Sequence, residues 1–348
     1  MGTSLIFTYP GGDAITITDP LKRVYTVTGS GGYGYTLTFK GYQNAGRTVS
    51  VSLDANNWLL PGQFALTRAT AFPNLTPQLY GSQGIGAGGP THIYLPDNRF
   101  YRIWYNNYGE VARVDLPTGG RFDYEWGAGY GADSQGLAYG LNAVHRRVTK
   151  KKVYTDAGTT LVEETNYSRA SGSDPVIVDR MTPGTSTVLT REKHKFFGDP
   201  FLQMVYTNDP VGYATWNDNL EDWVEYYSGS STLLRAVEND WEPRITYTWG
   251  SRTASYDPRL VRVTATLNDV SPNLVNKEEF VYSNDAYNNI TEEKEYDWGS
   301  GSPGSLLRRT VTTYLTTNAN QSSVNYATTN SIHIRNLPVQ GVLSAIVS

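Results

Sequence analysis

The stretch Leu95–Trp126, LPDNRFYRIWYNNYGEVARVDLPTGGRFDYEW, decides the fold of this chain. Its three apolar runs, Phe100–Tyr105, Glu110–Leu116 and Arg121–Trp126, combine aromatic and β-branched residues with polar ones at a period of two, which predicts half-buried strands. The residues between the runs are rich in Asn, Pro and Gly, which enter turns at little steric cost. We therefore expect a three-stranded antiparallel meander. In its last strand we expect two faces: Phe122, Tyr124 and Trp126 on one, and Arg121, Asp123 and Glu125 on the other.

The same stretch carries a spaced motif. Its first half is Tyr105-Asn106-x-x-Gly109-Glu110-Val111, and after seven residues its second half is Gly119-x-x-x-x-Tyr124-Glu125. This motif resembles the Rhs/YD repeat of bacterial Rhs proteins, which runs roughly Tyr-Asp-x-x-Gly-Arg-Leu, strand, Gly, strand, Tyr-x-Tyr-Asp. Asn106 and Glu125 stand where that family usually has Asp.

A second copy of the repeat lies toward the C-terminal side, at Phe280–Ile290. There Asn288-Asn289 takes the place of the turn glycine, because Asn tolerates the left-handed conformation. A Tyr-Asp pair follows at Tyr296-Asp297, and a partial copy precedes both at residues 44–53. The resemblance thus assigns these residues to the structural repeat: Tyr105, Gly109, Gly119, Tyr124, Tyr282, Asn289 and Tyr296.

The amino-acid composition and net charge limit the classes of function that this chain can have. The chain has 348 residues, 26 of them Tyr and 34 Gly, as expected for many short strands and tight turns. A net charge of −4 argues against a nucleic-acid surface, and the basic run from Arg146 to Lys152 indicates a solvated strand edge. The absence of cysteine excludes disulfides and thiolate metal sites. The sequence shows neither a signal peptide nor an apolar run of ~20 residues, so we expect no membrane span. We interpret residues 1–348 as one repeat region of a longer chain.

The sequence motifs do not support catalysis or cofactor binding. The four histidines occur singly, there is no GxSxG motif, and adjacent acidic residues point to opposite faces of a strand, so we expect no catalytic, cofactor-binding or metal-binding residue. A GxGxxG-like spacing at Gly84, Gly86 and Gly89 is followed by Pro90 and β-rich sequence, so it predicts a loop. Asp209-Pro210-Val211-Gly212 resembles the self-cleavage boundary of Rhs proteins, but we interpret it as a turn. Asp-Pro also occurs where we expect strand ends, at Asp19, Asp174, Asp199 and Asp257. We read residues 209–230 as loop and strand, with a short helix as the alternative.

The family resemblance implies an all-β fold: a curved antiparallel β-spiral that forms part of a hollow shell, as in polymorphic toxins, insecticidal toxin complexes and teneurins. It further implies a secreted or cell-surface, non-enzymatic segment that encloses a C-terminal toxin domain outside this sequence. The partners would then be the remaining repeats and the toxin domain of the same chain. The alternative is a carbohydrate-binding or adhesion module that uses exposed aromatic residues such as Trp58 or Trp216. An enzyme is the third alternative.

Overall fold

The computed structural model describes residues 5–29, 34–54, 58–75, 82–85, 89–137, 144–155, 158–170, 174–198, 216–249, 252–283, 288–315, 317–318, 321–325 and 336–345. The chain divides into two compact units. The first contains Met1–Tyr167 and Arg180–Thr187, and the second contains Ser168–Asp179 and Val188–Ser348. One strand, β12 (Val176–Met181), has residues in both.

The first unit is a sheet of strands that pair in the order of the sequence, each antiparallel to the next. Alternating apolar and polar residues build strands such as Ala14–Thr18, as the sequence pattern predicts. The strands are β1 (Ile6–Gly11), β2 (Ala14–Thr18), β3 (Val24–Gly29), β4 (Gly34–Lys40), β5 (Gly46–Ser52), β6 (His92–Tyr94), β7 (Phe100–Tyr105), β8 (Val111–Asp115), β9 (Arg121–Ala128), β10 (Arg146–Thr155) and β11 (Thr160–Ser168).

Residues 58–75 leave the sheet and pack against the end of β7. This segment contains the short helix α1 (Arg68–Ala71), which begins where the Thr67 hydroxyl accepts the Thr70 N–H. A 3₁₀ turn, Tyr42–Asn44, connects β4 to β5. The buried apolar side chains of the first unit include three in residues 58–75, which we call the covering segment, and four elsewhere: Trp58, Ala71, Phe72, Tyr105, Ala112, Leu137 and Met181.

The second unit is also built from antiparallel strands, and a long hairpin of two of them, β15 and β16, is its largest element. The short helix considered for residues 209–230 is not present in the described part of that region, where 221–228 form a strand. The strands are β13 (Val188–Phe196), β14 (Glu221–Ser228), β15 (Thr232–Trp249), β16 (Arg252–Leu267), β17 (Leu274–Tyr282), β18 (Ile290–Tyr296), β19 (Gly299–Ser300), β20 (Leu306–Tyr314), β21 (Thr317–Asn318), β22 (Gln321–Asn325) and β23 (Pro338–Ala345).

The predicted all-β, antiparallel fold class is confirmed, but two local interpretations are wrong. The basic run at 146–152 is not a strand edge, because β10 pairs with β9 on one side and β11 on the other. Asp257-Pro258 is not at a strand end either. It lies inside β16, where Pro258 faces Pro243 of β15 and Asp257 has a φ of 64°. Two prolines opposite each other interrupt the hairpin ladder from both sides, because neither can donate a hydrogen bond.

Candidate functional site: recurring loops and two unlike sheet faces

One five-residue loop recurs in the first unit. The N–H of its first residue donates to the carbonyl of the fifth, and the N–H of its fourth residue donates to the carbonyl of the first, at 2.7–3.0 Å. The fourth residue always has positive φ. This is the geometry of a short hairpin loop closed by a residue in the left-handed conformation. Five copies occur among the described residues, at 19–23, 95–99, 106–110, 116–120 and 133–137.

In three of these loops, the side chain of the first residue accepts hydrogen bonds that stabilise the turn. The Oδ1 atom of Asn106 accepts the N–H groups of Tyr108 and Glu110 at 2.9 and 3.0 Å. Asp19 and Asp133 accept the N–H groups two and four residues ahead in the same way. The backbone hydrogen bond from Leu137 lowers the pKa of Asp133. A carboxylate and an amide both supply the accepting oxygen, so Asp and Asn are equivalent at the first position of this loop.

The repeat residues of the first unit have distinct structural positions. Gly109 and Gly119 are the fourth residues of two of these loops, with φ of 76° and 93°. Tyr105 ends β7 with 4% of its surface exposed, and its hydroxyl donates to the Pro90 carbonyl at 2.9 Å. Tyr124 lies in the middle of β9 opposite Lys151, and burial raises the pKa of its phenol. Gly109 and Gly119 thus allow the turns of the meander, and Tyr105 and Tyr124 pack within its strands.

Two of the residues assigned to the repeat, Tyr282 and Asn289, lie close to a buried arginine in the second unit. The Tyr282 ring lies 5.0 Å from the Arg259 guanidinium, whose Nε donates to Asn288 Oδ1 at 2.8 Å. The positive φ falls on Asn288, at 56°, and Asn289 is buried beside it with its carbonyl accepting the Ser283 N–H. The left-handed turn position is therefore one residue earlier than the repeat residue Asn289.

A buried ion pair ties two of the recurring loops together. Arg146 Nε lies 2.8 Å from Glu110 Oε1, and the two side chains are 8% and 15% exposed. The Arg146 guanidinium also donates to the Gln135 carbonyl and stacks 3.8 Å from the centre of the Tyr108 ring. Asn106 Nδ2 donates to the other Glu110 oxygen at 2.7 Å. Every polar atom of the pair has a partner, as burial of charge requires.

The sheet β1–β5 has two chemically different faces, because successive strand residues point to opposite sides. One face carries threonines that stand directly opposite each other on successive strands: Thr8, Thr16, Thr26, Thr38 and Thr48. The other face carries apolar side chains that are half-buried, with the Tyr25 and Phe39 rings 6.1 Å apart. The half-buried members of its rows are Ile15, Ile17, Tyr25, Val27, Leu37, Phe39 and Val49. The row of Tyr25 and Phe39 ends at Arg47, and Phe7 and Tyr35 on the same face are exposed.

One face of β17, β18 and β20 in the second unit carries a ladder of ion pairs. Glu292 contacts Lys294 at 3.1 Å and Arg309 at 2.8 Å, and Lys277 contacts Glu279 at 2.7 Å. The hydrogen bond from Arg309 lowers the pKa of Glu292 to about 2. The hydroxyl of the repeat residue Tyr296 donates to Glu279 at 2.8 Å, so this tyrosine is part of the ladder.

The described histidines have protein partners. His194 lies between Glu221, at 2.7 Å, and Glu192, at 3.3 Å, and His145 accepts the Arg147 Nε hydrogen bond at 2.7 Å. His333 lies outside the described residues. Across the ranges that the structure describes, there is no cluster of three or more histidine and acidic side chains suited to a metal ion. Within the same ranges, no helix is both long and apolar enough to cross a membrane.

Other sequence predictions have mixed outcomes. Trp58 is not an exposed aromatic residue: it is 7% exposed, and its ring meets the Tyr105 ring edge-on at 6.1 Å. Trp216 is half-buried. Glu163 and Glu164 point to opposite faces, toward Lys151 and Lys150 respectively. The Asp209-Pro210 boundary and Gly86 of the glycine motif lie outside the described residues.

Comparison with known proteins gives distant structural neighbours only. No family model matches the chain, and no curated protein matches it. A structure described as the crystal structure of TcdB2-TccC3-TEV aligns over 86% of this chain and 17% of its own, with 11% identity and a TM-score of 0.19. The crystal structure of TcdB2-TccC3-Cdc42 aligns over 86% and 16%, with 10% identity and a TM-score of 0.14. The chain thus spans about a sixth of the length of these neighbours, at a similarity too low to establish a shared fold.

Proposed function

We propose that this chain is a non-catalytic wall segment of an Rhs-type shell, which encloses a toxin domain outside this sequence. The single observation that carries the proposal is the two-faced sheet β1–β5. Sheets of ordinary globular domains bury their apolar face under a second layer. Here the residues of that face, such as Leu37 and Phe39, are only half-buried. A wall would turn this face toward a sheltered interior and the threonine face toward solvent.

The recurring loop also supports a wall. Each copy reverses the chain by hydrogen bonds among its own five residues, as at 106–110 and 116–120. A sheet built in this way grows by adding one hairpin after another, as in other repeat architectures in which each unit contacts its neighbours. The partners in this proposal are the remaining repeats and the toxin domain of the same chain, in a secreted or cell-surface protein.

Cysteine accessibility tests the proposal, because this segment contains no natural cysteine. Leu37→Cys places a thiol on the apolar face of β4, and Thr38→Cys places one on the threonine face of the same strand. The intact protein that carries this segment would be used, with any cysteine elsewhere replaced by serine. Each variant would be treated with a small maleimide and with a polymer-linked maleimide too large to enter a closed shell.

We expect the small maleimide to label both variants and the polymer-linked reagent to label only Thr38→Cys. The small reagent controls for the lower exposure of position 37. Equal labelling of both variants by the large reagent would show that the apolar face is open to solvent, and would contradict the wall.

A further inference from the structure

We propose that the threonine face of the first unit binds a neutral polysaccharide, at a site formed by Tyr94, Phe100, His92, Ser50 and Thr36. The proposal goes beyond the wall function, because it assigns a ligand to the face that the wall would turn outward. It also replaces Trp58 and Trp216 as the aromatic residues that could contact a sugar.

Three aromatic rings form a compact platform on this face. Tyr94 of β6 stands directly opposite Phe100 of β7, with ring centres 5.5 Å apart. The His92 ring lies 5.6 Å from the Tyr94 ring and within 10° of parallel to it. Tyr94 and Phe100 are 38% and 42% exposed. The Phe100 ring is tilted by 48° from the Tyr94 ring, so the platform has one near-parallel pair of rings and one inclined ring. Exposed rings of this kind can contact the C–H face of a pyranose ring, which is the part of a sugar that stacks on aromatic side chains.

Side chains that carry hydroxyl groups lie in register with the aromatic platform on the neighbouring strands. Thr36 of β4 stands opposite Ser50 of β5, and Ser50 stands opposite Tyr94, so one row crosses four strands and ends at Phe100. Adjacent strands are about 4.8 Å apart, a spacing comparable with the length of one sugar residue. Hydroxyls both donate and accept hydrogen bonds, as sugar hydroxyls do. A glycan chain lying across the strands would meet a stacking surface at one end and hydrogen-bonding groups along its length.

The charge on this face favours a neutral ligand. The row from Thr36 to Phe100 and the neighbouring row of threonines contain no charged side chain. Partial burial lowers the pKa of His92, which favours the uncharged form of its ring. The nearest cation in register is Arg102, opposite His92, and its guanidinium stacks on the Trp104 ring at 3.6 Å. An acidic polysaccharide would need free cations in these rows.

The opposite face supplies an internal comparison. Tyr35 is 59% exposed on the apolar face of β4, next in sequence to Thr36. Its neighbours in register are Gly29 and Val51, and the row continues through Ile93 to Tyr101, whose phenol is the first other hydroxyl in it, three strands away. Tyr35 therefore has the exposed ring without the platform and without the hydroxyl row.

The experiment uses the 348-residue chain and native affinity electrophoresis in gels that contain soluble neutral polysaccharides: laminarin, xyloglucan, galactomannan or yeast mannan. We expect one of these to retard the wild-type protein. Tyr94→Ala should weaken binding about tenfold through loss of ring stacking. Thr36→Val, which keeps the side-chain shape but removes the hydroxyl, should weaken it less. The matched control Tyr35→Ala should bind like the wild type, and unchanged circular dichroism would show that each variant is folded.

Three outcomes would overturn the proposal: no retardation of the wild-type protein by any of the four glycans, equal weakening by Tyr94→Ala and Tyr35→Ala, or retardation only by an acidic glycan such as alginate that added salt abolishes. None of these outcomes bears on the labelling of Leu37→Cys. Failure of the glycan site and failure of the wall function are therefore distinguishable.

Discussion

Two regions of this protein are stabilised by different physical means. In the first, β7–β9 of the first unit, residues 58–75 cover the end of the meander, rings such as Phe72 and Tyr105 are buried, and the Arg146–Glu110 pair is largely buried as well. In the second, β17, β18 and β20 of the second unit, partly exposed ion pairs such as Glu292–Arg309 connect the strands. The meander depends on exclusion of water, and the ladder depends on charge. One kind of sheet can therefore be stabilised by burial in one place and by electrostatics in another.

The largest expected effect concerns the covering segment. Phe72 is 8% exposed and its ring lies 5.5 Å from the Tyr108 ring. Phe72→Ala should lower the free energy of unfolding by about 3 kcal/mol, because it removes a buried ring and leaves a cavity. Phe64→Ala, in the same segment but at a residue that is 80% exposed, is the matched control and should change stability by less than about 0.5 kcal/mol. Urea denaturation measures both, and equal losses would show that residues 58–75 do not seal the meander.

The next effect concerns the buried ion pair. Arg146→Met keeps the length of the apolar stem but leaves Glu110 charged and largely buried. The expected loss is about 2 kcal/mol, because an unpaired buried carboxylate keeps its desolvation cost. Arg99→Met removes a comparable ion pair, with Asp97, in which the two side chains are 55% and 46% exposed. That control should leave the denaturation midpoint unchanged, and a similar shift in both variants would remove the distinction between buried and exposed pairs.

A smaller effect concerns the loop backbone. Gly109 has a φ of 76°, a region that β-branched residues resist. Gly109→Val should therefore destabilise the protein by about 1 kcal/mol. Gly46→Val in β5 is the control, because Gly46 has open space around its Cβ position and no positive φ. An unchanged thermal midpoint for Gly109→Val would contradict the assignment of this glycine to the left-handed position of the loop.

The smallest effect, confined to acid, concerns the ladder. The ordinary pKa of a glutamate is 4.5, and Arg309 lowers that of Glu292 to about 2. A lowered pKa in the folded state stabilises the protein above the ordinary value, and this stabilisation disappears as pH falls through the folded value. The stability difference between wild type and Glu292→Gln should therefore be full at pH 7 and nearly absent at about pH 2. Glu278→Gln, at an exposed position of β17, is the control. Denaturation midpoints measured across pH test this prediction. A stability difference between wild type and Glu292→Gln that persists undiminished in acid would exclude the ion pair as its source.

The parts of the structure that depend on neighbouring residues could be predicted from the sequence. The strands of the meander and the turns at Gly109 and Gly119 follow from a period of two and from residues that adopt positive φ. The sequence patterns do not predict the loops at 19–23 and 133–137. Their shared signal is an Asp followed three residues later by a residue with positive φ, Lys22 in one and Gly136 in the other.

The parts that depend on distant residues could not be predicted. Arg146 lies 36 positions from Glu110 in the sequence, so the basic run around it has the local pattern of a solvated strand edge. Trp58 is buried because the segment that follows it folds back on β7, and nothing in its local sequence indicates this. The rows of Thr36, Ser50, Tyr94 and Phe100 likewise require the register between strands, which brings together residues up to 64 positions apart (100 − 36).

The recurring loop has a consequence for how the chain acquires its fold. Loops beginning at 95, 106 and 116 each fix the register of the hairpin around them through hydrogen bonds that span four residues. Hairpins form in microseconds, and chains dominated by contacts between near neighbours fold faster than chains that must first close long loops. The meander can therefore assemble in the direction of synthesis, each new strand pairing with the one before it. The covering segment closes a longer loop, from Trp58 to Tyr105, and its docking is the step that we expect to be slow.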